Sequence, residues 1–152
     1  VGSEMCIRDS CRTGKVLKTG DSGETWELQS TGLLNWITAG AVIDADTVYA
    51  GTTSGHILHT ADGGTTWVEQ TAPAEIAGKE SVNGAWATST SDIWMVCNDD
   101  YIVYTADGGD TWTATSPGTG EDLEDVAFLD INSGWIVGSS GTILHTTNSG
   151  AT

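Results

Sequence analysis

The chain has 152 residues, 20 of them Gly, with 21 acidic side chains against 5 basic ones and 7 Trp against a single Phe. A formal charge of −16 repels a phosphate backbone, and three Lys and two Arg cannot supply the contact set that drives nucleic-acid binding, so the composition argues against a nucleic-acid partner. The most apolar run, Leu33 to Ile43, is broken by Asn35, Thr38 and Gly40 and falls short of the roughly 20 apolar residues of a membrane-spanning helix.

Val1 to Ser10 lacks the Gly/Thr/Trp character of the rest of the chain. It resembles translated sequencing-adaptor read-through, with a disordered native leader as the alternative, and residues 1–13 are set aside from the fold. Cys6, Cys11 and Cys97 are an odd count, too few for a disulfide framework, and read as free thiols.

From Gly14 onward one block occurs four times: GKVLKTGDSGETW (14–26), GHILHTADGGTTW (55–67), DYIVYTADGGDTW (100–112) and GTILHTTNSGAT (141–152). Its threonines, Thr19, Thr60, Thr105 and Thr146, lie 41, 45 and 41 residues apart, which marks a structural repeat. In each copy a short β-prone pair (Val16-Leu17, Ile57-Leu58, Ile102-Val103, Ile143-Leu144) runs into turn chemistry, so a hairpin is predicted. Asp21, Asp62, Asp107 and the variant Asn148 can accept backbone N–H groups about two residues on, while Gly23, Gly64, Gly109 and Gly150 permit positive φ. Trp26, Trp67 and Trp112 then open the next strand as apolar anchors.

Two further strands precede each later block. Trp36–Ile43, Val82–Thr88 and Leu123–Leu129 lead through short polar turns to Thr47–Gly51, Ile93–Cys97 and Trp135–Gly138. Four strands per unit of just over 40 residues, without a helical period, predict an all-β chain: a partial β-propeller of four-stranded antiparallel blades. The units are a partial blade over 14–29, blades over 36–70 and 81–115, and a partial blade over 123–152. Two strands at the front overlap three at the back, so the ring is not expected to close. The expected parent carries about seven such repeats, and the open blade edges are expected to associate or to be marginally stable.

The phrase Thr60-Ala-Asp-Gly-Gly-Thr-Thr-Trp67 and its partners resemble the Asp-box, or bacterial neuraminidase repeat. The longer stretch Gly134–Gly150 is similar to repeats of photosystem II stability/assembly-factor-like propellers. Sialidases, sortilin-type receptors and xyloglucan-cleaving glycosidases share the motif, so the resemblance speaks to fold more than to activity. It implies a structural role for the turn residues, a protein partner, and an extracytoplasmic setting, periplasmic or secreted.

Residues 13–152 contain no Arg, so the three-arginine carboxylate clamp that the sialidase resemblance implies has no counterpart there. Asp44, Asp46, Asp99, Asp100, Glu121, Asp122, Glu124 and Asp125 fall in predicted loops, but a count of carboxylates sets no separation between them, and a solvated acidic surface is the reading. His59 and His145 share one repeat slot with Lys18 and Tyr104 and are assigned to packing on a strand face; His56 sits at a variable exposed slot. Cys97 aligns with Gly51 and Gly138 as a small buried residue. One carboxylate per turn is too few for Ca²⁺, so no metal and no cofactor are expected. The loops 70–81 and 115–123, with 51–55, 98–100 and 139–141, share one short, polar face suited to binding rather than catalysis. The sequence therefore reads as a non-catalytic scaffold or protein-binding module. The alternative is an arc of a secreted carbohydrate-active or glycan-binding propeller, with a glycan as ligand.

Overall fold

In the computed structural model, residues 13–151 are described, together with the backbone of Met5–Cys6. Residues 1–13 are set aside from the fold on sequence, but the backbone of Met5–Cys6 pairs with Lys18 and Leu17; the foreign origin of the leader and the thiols of Cys6 and Cys11 lie outside the described residues.

The described residues form four antiparallel sheets. Blade I comprises β1 (Met5–Cys6), β2 (Lys15–Lys18) and β3 (Glu27–Ser30). Blade II comprises β4 (Ile37–Val42), β5 (Val48–Thr52), β6 (Ile57–Thr60) and β7 (Val68–Gln70). Blade III comprises β8 (Val82–Ala87), β9 (Ile93–Cys97), β10 (Ile102–Thr105) and β11 (Thr113–Thr115). Blade IV comprises β12 (Leu123–Phe128), β13 (Gly134–Gly138) and β14 (Ile143–Thr146). A 3-10 turn, Ser139–Gly141, links the last two strands. Strands neighbour one another in chain order within every sheet, the up-and-down meander of a propeller blade, and the ring is not closed.

The first full strands of blades II, III and IV pack side by side at the centre of the arc. One slot zips them: Thr38 Oγ1 donates to Val82 O, and one blade later Asn83 Nδ2 donates to Leu123 O at 2.8 Å. The approach is close enough that a Cβ added to Gly84 would lie 2.8 Å from the Cα of Asp125, so glycine is the residue that fits there.

Three apolar clusters hold the arc together, one at each junction. Between blades I and II lie Val16, Ile37, Ala50 and Leu58, with Trp67 against them. Between II and III lie Tyr49, Ile57, Val82, Met95, Val103 and Trp112. Between III and IV lie Trp94, Val96, Leu123, Val126 and Phe128. An indole from the following blade fills the first two. The strand ladders place Cys97 opposite Val82 and in the slot of Thr52 and Gly138, so the alignment of Cys97 with Gly51 is corrected by one residue.

The three anchors are not equivalent. Trp112 is 8% exposed and its Nε1 donates to Gln70 Oε1 at 2.9 Å in the preceding blade. Trp67 is half-buried, and its Nε1 and the Oε1 of Gln29, the residue matching Gln70, are buried without partners among the described residues. Trp26 is 45% exposed, with no described blade preceding blade I for it to pack against. Trp112→Ala is expected to cost about 3–5 kcal/mol as a buried aromatic truncation. Trp26→Ala is expected to cost well under half of that, and the two are compared by urea melts.

Candidate functional site: the loop face and the turn face

Each Thr–Asp turn is built the same way. Thr19 Oγ1 donates to Asp21 Oδ1 at 2.8 Å and accepts from the N–H of Gly23 at 2.9 Å. Asp21 in turn accepts from the N–H of Thr25 at 2.8 Å and from its hydroxyl. The same set recurs at Thr60, Asp62, Gly64 and Thr66, and at Thr105, Asp107, Gly109 and Thr111. At Thr146, Asn148 and Gly150 the threonine half is kept, with Thr146 Oγ1 donating to Asn148 Oδ1 at 2.9 Å; Thr152 lies outside the described residues. The aspartate thus reaches four residues on rather than two, and the threonine hydroxyl serves the nearer glycine N–H.

A second turn, expected from the sequence as a polar turn and found to be capped, stands beside three of these, in blades II, III and IV. Asp44 Oδ1 accepts the N–H groups of Asp46 and Thr47, Ser89 Oγ those of Ser91 and Asp92, and Asp130 Oδ1 those of Asn132 and Ser133. The two turns of each blade are stapled by one backbone bond, Gly63 N–H to Asp46 O, Gly108 N–H to Ser91 O and Ser149 N–H to Asn132 O. The signal was present as Asp or Ser two residues before a polar N–H donor.

The turns of blades II, III and IV also seat on the preceding blade. Lys18 Nζ donates to Gly63 O at 3.0 Å, and Tyr49 Oη donates to Gly108 O at 2.6 Å. Trp94 lies against Gly150. Behind these groups runs a repeated cross-strand stack: Tyr49 on His59 at 4.4 Å, Trp94 on Tyr104 at 4.0 Å and Trp135 on His145 at 4.5 Å between ring centroids. His59 and His145 are therefore packing groups, and burial holds the His59 pKa below its usual value.

The carboxylates named from sequence divide between two faces. Asp44 and Asp46 belong to the turn face with the Thr–Asp turns. Asp99, Asp100, Glu121 and Asp122 lie in loops of the opposite face, whereas Glu124 and Asp125 belong to β12 and not, as expected, to a loop. Asp122 Oδ1 accepts the N–H of Asp99, Glu121 accepts from Ser140 Oγ, and Glu124 accepts from Ser139 Oγ. Asp125 Oδ1 accepts the N–H of its neighbour Val126. His56 pairs with Glu69 across the adjoining strands of blade II.

Asp100 departs from the solvated reading: it is 4% exposed. It occupies the position of Gly14, Gly55 and Gly141 and shares their positive φ, at 67°. At Gly55 a loop carbonyl, Ile76 O, sits where a Cβ would be. In blade III the loop instead ties itself to the Asp100 carboxylate through Ser116 Oγ at 2.6 Å, the N–H of Gly118 at 2.8 Å and the hydroxyl of Thr119. Burial pushes the Asp100 pKa up, but the hydrogen bonds from Ser116, Thr119, Gly120 and Gly118 outweigh it and leave the group below its usual value. Cys97 is buried, and burial together with the charge of Glu80 pushes its thiol up to about 12, leaving it inert at neutral pH. Among the described residues, no group of three His, Cys, Asp or Glu is placed to hold a metal ion, and no helix is long and apolar enough to cross a membrane.

The chain matches no protein-family model and no curated protein. Its fold is shared with solved propellers. A YCF48 structure from Cyanidioschyzon merolae matches with TM-score 0.74 and 15% identity over 100% of this chain and 51% of that one. YCF48 bound to D1 peptide matches with TM-score 0.69 and 18% identity over 100% of this chain and 43% of that one. A GH74 enzyme of Niastella koreensis matches with TM-score 0.69 and 17% identity over 100% of this chain and 30% of that one. The chain thus spans about half the length of the YCF48 structures or less. At these identities the likeness defines a β-propeller scaffold and no particular activity.

The turn chemistry and the loop tie are each open to test. Hydrogen bonds from Thr25 and from Thr111, each through the hydroxyl and then the N–H, lower Asp21 and Asp107 from 3.8 to about 2. A depressed carboxylate stabilises the fold above its unfolded pKa, so this contribution is full above about pH 4 and disappears as pH falls to about 2. Urea melts across that range should show the loss, with a smaller slope for Asp107→Asn. At the loop face, Asp100→Asn keeps a side chain that tolerates positive φ but loses the charged acceptor, and is expected to cost about 1–2 kcal/mol. Asp99, at φ 53° and exposed, should tolerate Gly with a change within about 0.5 kcal/mol in the same melts.

Proposed function

We propose that this chain is part of a non-catalytic propeller scaffold whose loop face binds a protein segment, in the manner of the photosystem II assembly-factor-like propellers it resembles. The observation that carries the reading is how the loop-face carboxylates are used. Asp100 is committed to holding the 116–120 loop, Asp122 to the backbone of Asp99, and Glu121 and Glu124 to serines of the neighbouring loop. Groups bound in this way build a pre-organised polar rim, whereas glycoside hydrolysis needs an acid held protonated opposite a free carboxylate. The likeness to a YCF48 structure with a D1 peptide bound supports a peptide as the class of ligand.

The test is titration of the chain with that D1 peptide by calorimetry, alongside an assay of reducing-sugar release from xyloglucan. Saturable peptide binding that weakens at least tenfold in Glu121→Lys, with no sugar released, is the expected result. Turnover of xyloglucan would overturn the non-catalytic assignment, and absence of peptide binding would overturn the ligand class.

A further inference from the structure

Among the aspartates of the chain only Asp62 and Asp107 are followed by Gly, and both stand in Thr–Asp turns. We infer that Asp62–Gly63 and Asp107–Gly108 are sites of covalent self-modification, where the main chain can migrate to the side-chain carboxyl and leave isoaspartate, and that the seated turn holds this conversion off until its junction opens. The inference concerns the turn face and stands or falls independently of the function proposed for the loop face.

The step needs no group beyond the turn and solvent water. The Gly63 backbone nitrogen attacks Cγ of Asp62, gives up its proton to solvent and expels one carboxyl oxygen as water, which closes a five-membered succinimide. A second water then adds to the Asp62 α-carbonyl carbon, and the bond from that carbon to the Gly63 nitrogen breaks. The chain now continues through Cγ, and the former α-carbonyl is a free carboxylate. One water leaves and one returns, with no change of oxidation state. Glycine opens the route because no Cβ shields the attacking nitrogen. Asp21 and Asn148, in the matching slots, precede Ser22 and Ser149, whose Cβ crowds the approach.

The seated turn blocks each part of that step. The attacking N–H groups are engaged elsewhere: Gly63 N–H donates to Asp46 O at 2.9 Å and Gly108 N–H to Ser91 O at 3.0 Å. The carboxylates are held toward residues further along the chain. Asp62 accepts from Thr60 Oγ1 at 2.9 Å, from the N–H of Thr66 at 2.8 Å and from its hydroxyl at 2.6 Å, and Asp107 accepts the same three bonds from Thr105 and Thr111. These bonds also favour the ionised carboxylate over the neutral acid from which water departs, lowering Asp62 and holding Asp107 at about 2. Seating on the preceding blade keeps the set together, since Gly63 O accepts from Lys18 Nζ and Gln29 Nε2, and Gly108 O from Tyr49 Oη. Both aspartates are exposed, so water is at hand once the turn loosens. Local opening of a junction frees the nitrogen and the carboxyl at the same time. Reclosing does not undo the product: isoaspartate adds a methylene to the main chain and removes the side chain that capped the turn, so the altered turn no longer seats. Each turn thus keeps a lasting record of opening at its junction.

The test incubates the full 152-residue chain at neutral pH beside two free peptides, His-Thr-Ala-Asp-Gly-Gly-Thr-Thr-Trp and Tyr-Thr-Ala-Asp-Gly-Gly-Asp-Thr-Trp, copied from residues 59–67 and 104–112. Isoaspartate at each site is followed by peptide mapping with electron-transfer mass spectrometry. Conversion at least tenfold slower in the folded chain than in the matching peptide, rising to the peptide's rate in unfolding urea, is the expected result. Thr111→Val removes the hydroxyl bond to Asp107 and should speed conversion there at least threefold while leaving Asp62 unchanged. Equal rates in chain and peptides, no conversion in the peptides, or a Thr111→Val variant that speeds neither site or both sites alike would each overturn the inference. Because the comparison with the peptides uses the unmodified chain, it decides the matter even where Thr111→Val fails to fold.

Discussion

The structure depends on one repeated contact: the Thr–Asp turn and tryptophan of one blade seated on the face of the blade before it. A single four-stranded blade cannot bury both of its faces, so a blade is stable only through its neighbours. The turn is rigid because the threonine hydroxyl and the carboxylate satisfy its N–H groups internally. It can therefore present a bare glycine backbone to the preceding blade, where Lys18, Tyr49 or Trp94 meets it. The indole follows directly and carries most of the apolar area of the contact.

That contact also orders the arc energetically. The junction of blades II and III has a buried indole with its N–H bonded to Gln70, a tyrosine on the incoming turn and the largest cluster, with His59 Nε2 buried and unbonded among the described residues. At the junction of I and II, Trp67 and Gln29 each leave a buried polar atom unbonded, which costs about 1–3 kcal/mol per group. The junction of III and IV stacks Trp94 on Tyr104 and Phe128. The outer faces show the same logic in reverse, with Trp26 and Leu28 exposed at one end of the arc and Trp135, Val137 and Ile143 at the other.

The repeat made most of the fold legible from sequence. Spacings of 41, 45 and 41 residues and the Thr–Asp–Gly–Trp pattern placed the strands to within a residue or two. Contacts between units were not legible, because they depend on which face of a strand meets which turn. Thus Trp26, Trp67 and Trp112 look identical in sequence yet differ in burial according to whether a blade precedes them. Tyr49, Trp94 and Trp135 do not stand out in the sequence, and only the ladder registers reveal that they share a slot and stack on His59, Tyr104 and His145. Asp100 carried a local signal, an acid where the other three blocks have Gly, and it marked a loop tie rather than an open surface. The candidate loop face was located correctly by strand order, but the commitment of its carboxylates to loops is a tertiary property.

The central claim is that junctions, and not individual sheets, set the stability of the arc. Native-state hydrogen exchange tests it most directly, since it reads the opening free energy of each strand separately. The account predicts the greatest protection in β5, β6, β9 and β10, which flank the complete junction, and progressively less toward β2 and β14. Uniform protection across all four blades, or the greatest protection in β13 and β14, would contradict it.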